Sequence, residues 1–111
     1  MNHERLECYK RLVTVAEEVA RKVSRWPRGH GYLADQLMRA MSSSVLNLAE
    51  GNGKRRYGAE RRRFFEISLG SIAEVTACLD LAFAFGLMRS QDCDSLKSRL
   101  KLSAVQIGAL P

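Results

Sequence analysis

The chain has no run of about 18 consecutive apolar residues, the length a bilayer-spanning helix needs, and its opening stretch MNHERLECYK is charged. We therefore expect no signal peptide, no membrane anchor and no membrane partner, and a cytoplasmic location. Cysteine is scarce and odd in number: Cys8, Cys78 and Cys93 lie far apart, a pattern of reduced packing residues and not of a disulfide framework. The two histidines, His3 and His30, stand in no HxxxH or carboxylate-histidine spacing, so no metal is expected. A di-iron site of the kind helical bundles hold would add a Glu-x-x-His motif to carboxylates such as Glu50 and Glu74, and none occurs. Ser43 lacks an evident base to activate it. The stretch GNGKR has neither the GxxxxGK[ST] pattern nor a preceding strand. With no residues filling the roles of nucleophile, base and electrophile, neither enzyme activity nor a cofactor is expected.

Strand-like alternation, internal repeats and low-complexity segments are missing too, so residues 1–111 read as one domain. What is present is helical periodicity. From about Arg5 to Arg25, Leu6, Tyr9, Val13, Ala16, Ala20 and Val23 follow a near-heptad spacing, and Leu12, Val15, Val19 and Trp26 widen the stripe to half the cylinder. Trp26-Pro27 ends this helix, because the residue before proline is pushed out of the helical region. A second helix, Leu33–Glu50, carries Leu33, Leu37, Ala40, Met41, Ser44, Val45 and Leu48 on one side. Gly51 is placed to end it in the left-handed conformation. The third runs from about Ala59 to Phe85, with Phe64, Phe65, Ser68, Leu69, Ile72, Val75, Leu79, Ala82 and Phe83 as its main stripe. Its Gly70, Ala73, Ala77 and Ala84 are small enough for another helix to approach closely. Gly86 breaks the pattern, Ser90 reads as the N-cap of the last helix, and Asp92 suits the dipole of its first turn. Cys93, Leu96, Leu100, Ala104, Ile107 and Leu110 form that helix's apolar face. Four amphipathic helices on short loops predict an all-α, antiparallel up-down-up-down four-helix bundle, with Leu37, Ile72 and Leu79 in its core.

Polar residues single out two places. On the second helix Arg39, Ser43, Asn47 and Glu50 form a stripe at i,i+3 and i,i+4 spacing. The serines there are small enough to let a neighbour come close. Glu74 interrupts an apolar stripe of the third helix, and a buried carboxylate needs a donor. Arg39 is the expected partner, with Asn47 or a serine hydroxyl completing the set. The second place is basic. The formal charge is +6, and between Lys54 and Arg63 six cations (Lys54, Arg55, Arg56, Arg61, Arg62, Arg63) stand against one acid, Glu60. Tyr57 among them can stack on an unpaired base. Its simplest account is a solvated loop; the functional one is contact with nucleic acid or with an acidic protein partner.

The run QLMRA...S..LNLAEGNGK, followed by FFEISLGSIAE, resembles the bacterial four-helix proteins encoded in intervening sequences of 23S ribosomal RNA genes. The matching positions are Gln36, Leu37, Arg39, Ala40, Ser43, Asn47, Ala49, Glu50, Gly51, Gly53, Phe64, Phe65, Gly70, Ser71 and Glu74. Where many relatives have a proline two residues before the asparagine, this chain has Val45. That family is similar in fold to the accessory proteins of diversity-generating retroelements, barrel-shaped pentamers whose basic surfaces bind nucleic acid and a reverse transcriptase. The resemblance thus implies a non-enzymatic homo-oligomer, a pentameric ring, with a connection to RNA.

Overall fold

The computed structural model describes residues 3–111. They form four helices, α1 (His3–Val23), α2 (Gly31–Asn52), α3 (Ala59–Ala84) and α4 (Ser90–Gly108), with no strand among the described residues. Each helix packs on two others: α1 on α2 and α4, α3 on α2 and α4, the α2–α3 pairing being the most extensive. The molecule is elongated, 44 × 23 × 18 Å.

Serine explains why α2 and α3 approach so closely. Ser44 and Ser68 are fully buried between them; the Ser68 hydroxyl donates to the Ser44 carbonyl at 2.7 Å, and the Ser44 hydroxyl to Met41 O at 2.7 Å. Ser71 Oγ meets Ser43 Oγ at 2.7 Å, and the Asn47 amide donates to Ser43 O at 2.8 Å. Every one of these hydroxyls is paired, so small size is gained without an orphaned polar group. Around the seam, Leu37, Leu48, Phe65, Ile72, Val75, Leu79, Leu96, Leu100 and Ile107 belong to one buried cluster, which includes all three residues expected at the core.

Helix α1 turns a different line inward from the near-heptad stripe. Its buried residues are Cys8, Leu12, Val15 and Val19, while Leu6 and Ala20 are exposed and Val13, Ala16 and Val23 half-buried. Half the cylinder is apolar, so periodicity alone leaves the rotation of the helix undecided, and α4 decides it. The Cys8 thiol lies 3.6 Å from Ser103 O, Glu18 pairs with Arg99 at 3.0 Å and Lys22 with Asp92 at 3.0 Å. Arg11 also bonds the Gln106 side chain. All three cysteines are free and buried, and burial pushes each thiol above its ordinary range, which leaves them unreactive.

Two helix ends differ from expectation. Gly51 lies inside α2, which runs through Val45 to Asn52, and its backbone is not left-handed: among the described residues only Tyr57, Gly29 and Gly86 have positive φ. The glycine is needed there for space, because a Cβ on Gly51 would lie 2.5 Å from Phe65 Cε1. The left-handed stop occurs instead at Gly86 (φ +76°), where Gly86 N–H donates to Phe83 O at 3.0 Å and Leu87 N–H to Ala82 O at 2.8 Å. That pair of bonds caps the orphan carbonyls of α3. Ser90 is the first residue of α4, after Arg89 at the cap position, and no side chain caps this end. Asp92 does lie in the first turn, where its bonds to Lys22 and Arg89 hold its carboxyl below the usual range against some desolvation.

Among the described residues one face of α3 is largely uncovered, although Ala73 borders a groove with Lys97, Lys101 and Ala104 of α4 and Phe85 lies 6.3 Å from the His30 ring. Gly70, Ala73, Ala77 and Ala84 are exposed, flanked by Ile67 (40%), Leu81 (46%) and Phe85 (45%). A Cβ on Gly70 would meet nothing within 4 Å. The small residues that invite a close helix therefore face outward. By length and composition α3 is apolar enough to cross a bilayer, although it contains no unbroken apolar run of that length. Core helices of bundles meet the same criterion, and the buried side of α3 packs on α2 and α4.

Candidate nucleic-acid interface

The basic segment forms the α2–α3 connection and the first turns of α3. It sits at the end of the molecule where α1 begins and α4 finishes: Tyr57 N–H donates to Pro111 O at 3.0 Å, and Arg62 Nη2 to Leu110 O at 3.4 Å. Tyr57 takes a left-handed conformation (φ +60°), turning the chain so that Gly58, extended at φ −83° and ψ 152°, starts α3. The tyrosine ring is 80% exposed, with the Arg56 guanidinium 5.3 Å from its centroid.

The six cations of the window do not act alike. Lys54 is neutralised, bonding Glu60 at 3.2 Å and Glu50 at 3.5 Å. Those carboxylates, Glu60 first, hold the ammonium above its ordinary range. Arg55, Arg56, Arg62 and Arg63 are exposed. Arg61 is not a solvated cation at all: it is 2% exposed, stacked over Phe65 at 5.2 Å, with one hydrogen bond, Nη1 to Lys54 O at 3.0 Å. Burial first, then the charges of Arg5 and Arg56, push it below the usual guanidinium range. Its position was readable, since Arg61 stands four residues before Phe65 on the stripe that continues through Ser68 and Ile72.

The second polar grouping divides. Asn47 bonds Ser43 Oγ at 3.1 Å, and Ser43 meets Ser71, so these residues bond one another and do not complete the set expected around Glu74. Glu50 turns instead to Lys54. Glu74 is exposed, not buried, and its donor is Gln36 Nε2 at 3.0 Å; Arg39, the expected partner, is exposed and bonds no carboxylate among the described residues. The apolar residues beside Glu74 belong to the outward face of α3, so the carboxylate pays no desolvation. Glu74→Ala and Glu66→Ala are accordingly expected to have equal effects below about 1 kcal/mol in urea unfolding. A loss of about 3 kcal/mol confined to Glu74 would show an ion buried by something the monomer lacks.

The residues that carry the resemblance thus pair across one seam, Gln36 with Glu74, Ser43 with Ser71 and Gly51 with Phe65. The family profile of the 23S rRNA-intervening sequence protein matches residues 4–108, spanning all four helices. The chain belongs to this family. No curated protein gives a significant match. In this chain several of the shared positions have a role inside the subunit, as spacing or as hydrogen bonds between α2 and α3. Gly70 and Arg39 have none: one faces open space and the other solvent. Among the described residues no cluster of three His, Cys, Asp or Glu could hold a metal.

Proposed function

We propose that this 23S rRNA-intervening sequence protein is a non-enzymatic, ring-forming antiparallel bundle that binds RNA through its basic end. The up-down-up-down course is supported by the order of contacts: Cys8 meets Ser103 while Lys22 meets Asp92, and Gln36 meets Glu74 while Ser44 meets Ser68. The observation that carries the binding reading is the set of four exposed arginines around exposed Tyr57, with the nearby acids Glu50 and Glu60 already engaged by Lys54. Cations supply sequence-independent affinity for phosphates, and an exposed ring supplies a stacking platform.

Ring formation is supported by the uncovered face of α3 and by a second apolar feature across the molecule, a groove of about 250 Å³ between α1 and α2. Val13, Ala16, Val45 and Leu46 line it. Head-to-tail rings need two different faces of one subunit, and the resemblance makes the pentamer the specific choice.

Replacing Arg55, Arg56 and Arg63 together, all exposed, is expected to weaken binding to single-stranded RNA irrespective of sequence. The slope of log affinity against log salt should flatten by roughly 2, since each lost phosphate contact removes about 0.7. An unchanged slope would remove this surface from the binding account. Nuclease-insensitive capture of a single acidic protein would favour an adaptor role instead.

A further inference from the structure

Behind the exposed arginines lies a cavity of about 390 Å³, at the small end of ligand sites. Tyr57, Gly58, Ala59, Arg61, Arg62, Phe65 and Pro111 line it. Three features converge here. The first is the start of a 26-residue helix with no side-chain cap, whose first-turn N–H groups have no helix carbonyl to bond and carry the positive end of the dipole. The second is Arg61, buried yet incompletely bonded: Nε and Nη2 have no partner, while Nη1 is held by Lys54 O. Those two nitrogens form one edge of the guanidinium, the side-on fork that grips two oxygens of a single oxyanion. The third is the surrounding charge, since Arg61 feels Arg5 and Arg56 unfavourably. A buried cation among like charges, with its best hydrogen-bonding edge unused, is an arrangement that an anion would relieve.

We propose that this cavity seats one phosphate group, its oxygens taken by the Arg61 fork and by the free N–H groups at the start of α3. Arg62 closes one side, and Tyr57 stands at the rim for an attached base. A carboxylate offers the fork two oxygens but leaves the backbone donors unmatched; a phosphate has oxygens for both. The proposal rests on the RNA reading only for the source of the phosphate, which is a strand terminus or an internal phosphodiester.

The test uses the whole chain and begins with inorganic phosphate. Phosphate, against chloride at equal ionic strength, is expected to shift the ¹⁵N–¹H resonance of Arg61 Nε and to raise the melting temperature. Arg61→Met, similar in size and uncharged, should fold, because loss of an unpaired buried cation is tolerated, and should lose the melting response. Arg61→Lys, charged but without the fork, should lose most of it. Absence of any phosphate-specific shift at Arg61 Nε in the unaltered protein overturns the proposal, as does a full melting response in Arg61→Met. A single-stranded RNA oligonucleotide with a 5′-phosphate and its 5′-hydroxyl twin then identify the source. About tenfold preference for the phosphorylated strand, lost in Arg61→Met, assigns the seat to a terminal phosphate. Equal binding of both, weakened alike in Arg61→Met, assigns it to an internal one. Phosphate binding with no affinity for either strand keeps the seat and rejects the RNA reading.

Discussion

Phe65→Ala is expected to cost about 3–5 kcal/mol, the usual loss for a large aromatic removed from a core, and Gly51→Ala is expected to destabilise as well. Phe65 is 1% exposed and fills the space between α2 and α3 opposite Gly51. An alanine Cβ at position 51 would lie 2.5 Å from Phe65 Cε1, 2.6 Å from Cδ1 and 3.3 Å from Phe64 Cβ. Two effects then oppose each other. Replacing a glycine inside a helix gains up to about 1 kcal/mol of propensity, whereas overpacking a filled core costs about 1–3 kcal/mol. Arg61 stacks on the ring, so withdrawal would lose that contact as well, and overpacking wins. The sign should reverse once the ring is gone: in a Phe65→Leu background, Gly51→Ala is expected to be neutral or stabilising. Urea unfolding of the two single variants and the double variant measures this coupling. A stabilising Gly51→Ala in the unaltered protein would contradict the close approach.

The same pair shows what a sequence can reveal and where it stops. Glycine at the foot of an amphipathic run admits two physical explanations, a left-handed stop or a close approach, and both place it near a helix end. Only the position of Phe65, fourteen residues away in sequence and adjacent in space, separates them. At Gly86 no bulky residue intervenes, and the helix-stop reading holds. In α2 and α3 much of the inward line was legible, as Leu37, Ile72 and Leu79 attest, but Phe83, expected on the same stripe of α3, is 51% exposed. Helix α1 has apolar residues over half its surface, so its inward line through Cys8, Leu12, Val15 and Val19 emerged only with α4 in place.

At the candidate interface, composition located the segment but not the division of labour within it. Lys54 and Arg61 count as cations in any tally, yet one is neutralised by two carboxylates and the other is buried. For Glu74 the error came from treating an apolar stripe as evidence of burial. Apolar residues can equally line a face the lone subunit leaves uncovered, as they do along α3 between Ile67 and Phe85.

That face carries the remaining large expected effect. Ala77→Arg is expected to break the assembly and, with it, most of the RNA affinity. Ala77 is exposed on α3, and arginine is a good helix former, so the subunit itself should keep its melting temperature when measured at dilution. In an interface built on Gly70, Ala73 and Ala77, however, a guanidinium at position 77 would prise the helices apart and lose its water without a partner, at several kcal/mol. Sedimentation equilibrium should find the unaltered protein at five times the 12.5 kDa of one chain, and the variant at that single mass. Because a ring presents its basic ends together, their combined affinity can exceed that of one end by about 10²–10⁴. The dissociated variant should lose that factor although every arginine of the basic segment is intact. A variant that dissociates but binds RNA undiminished would confine binding to single subunits and remove the ring from the mechanism. A dimeric unaltered protein would retain the α3 interface and reject the pentamer. A monomer at micromolar concentration would leave the apolar face of α3 without the partner assigned to it here.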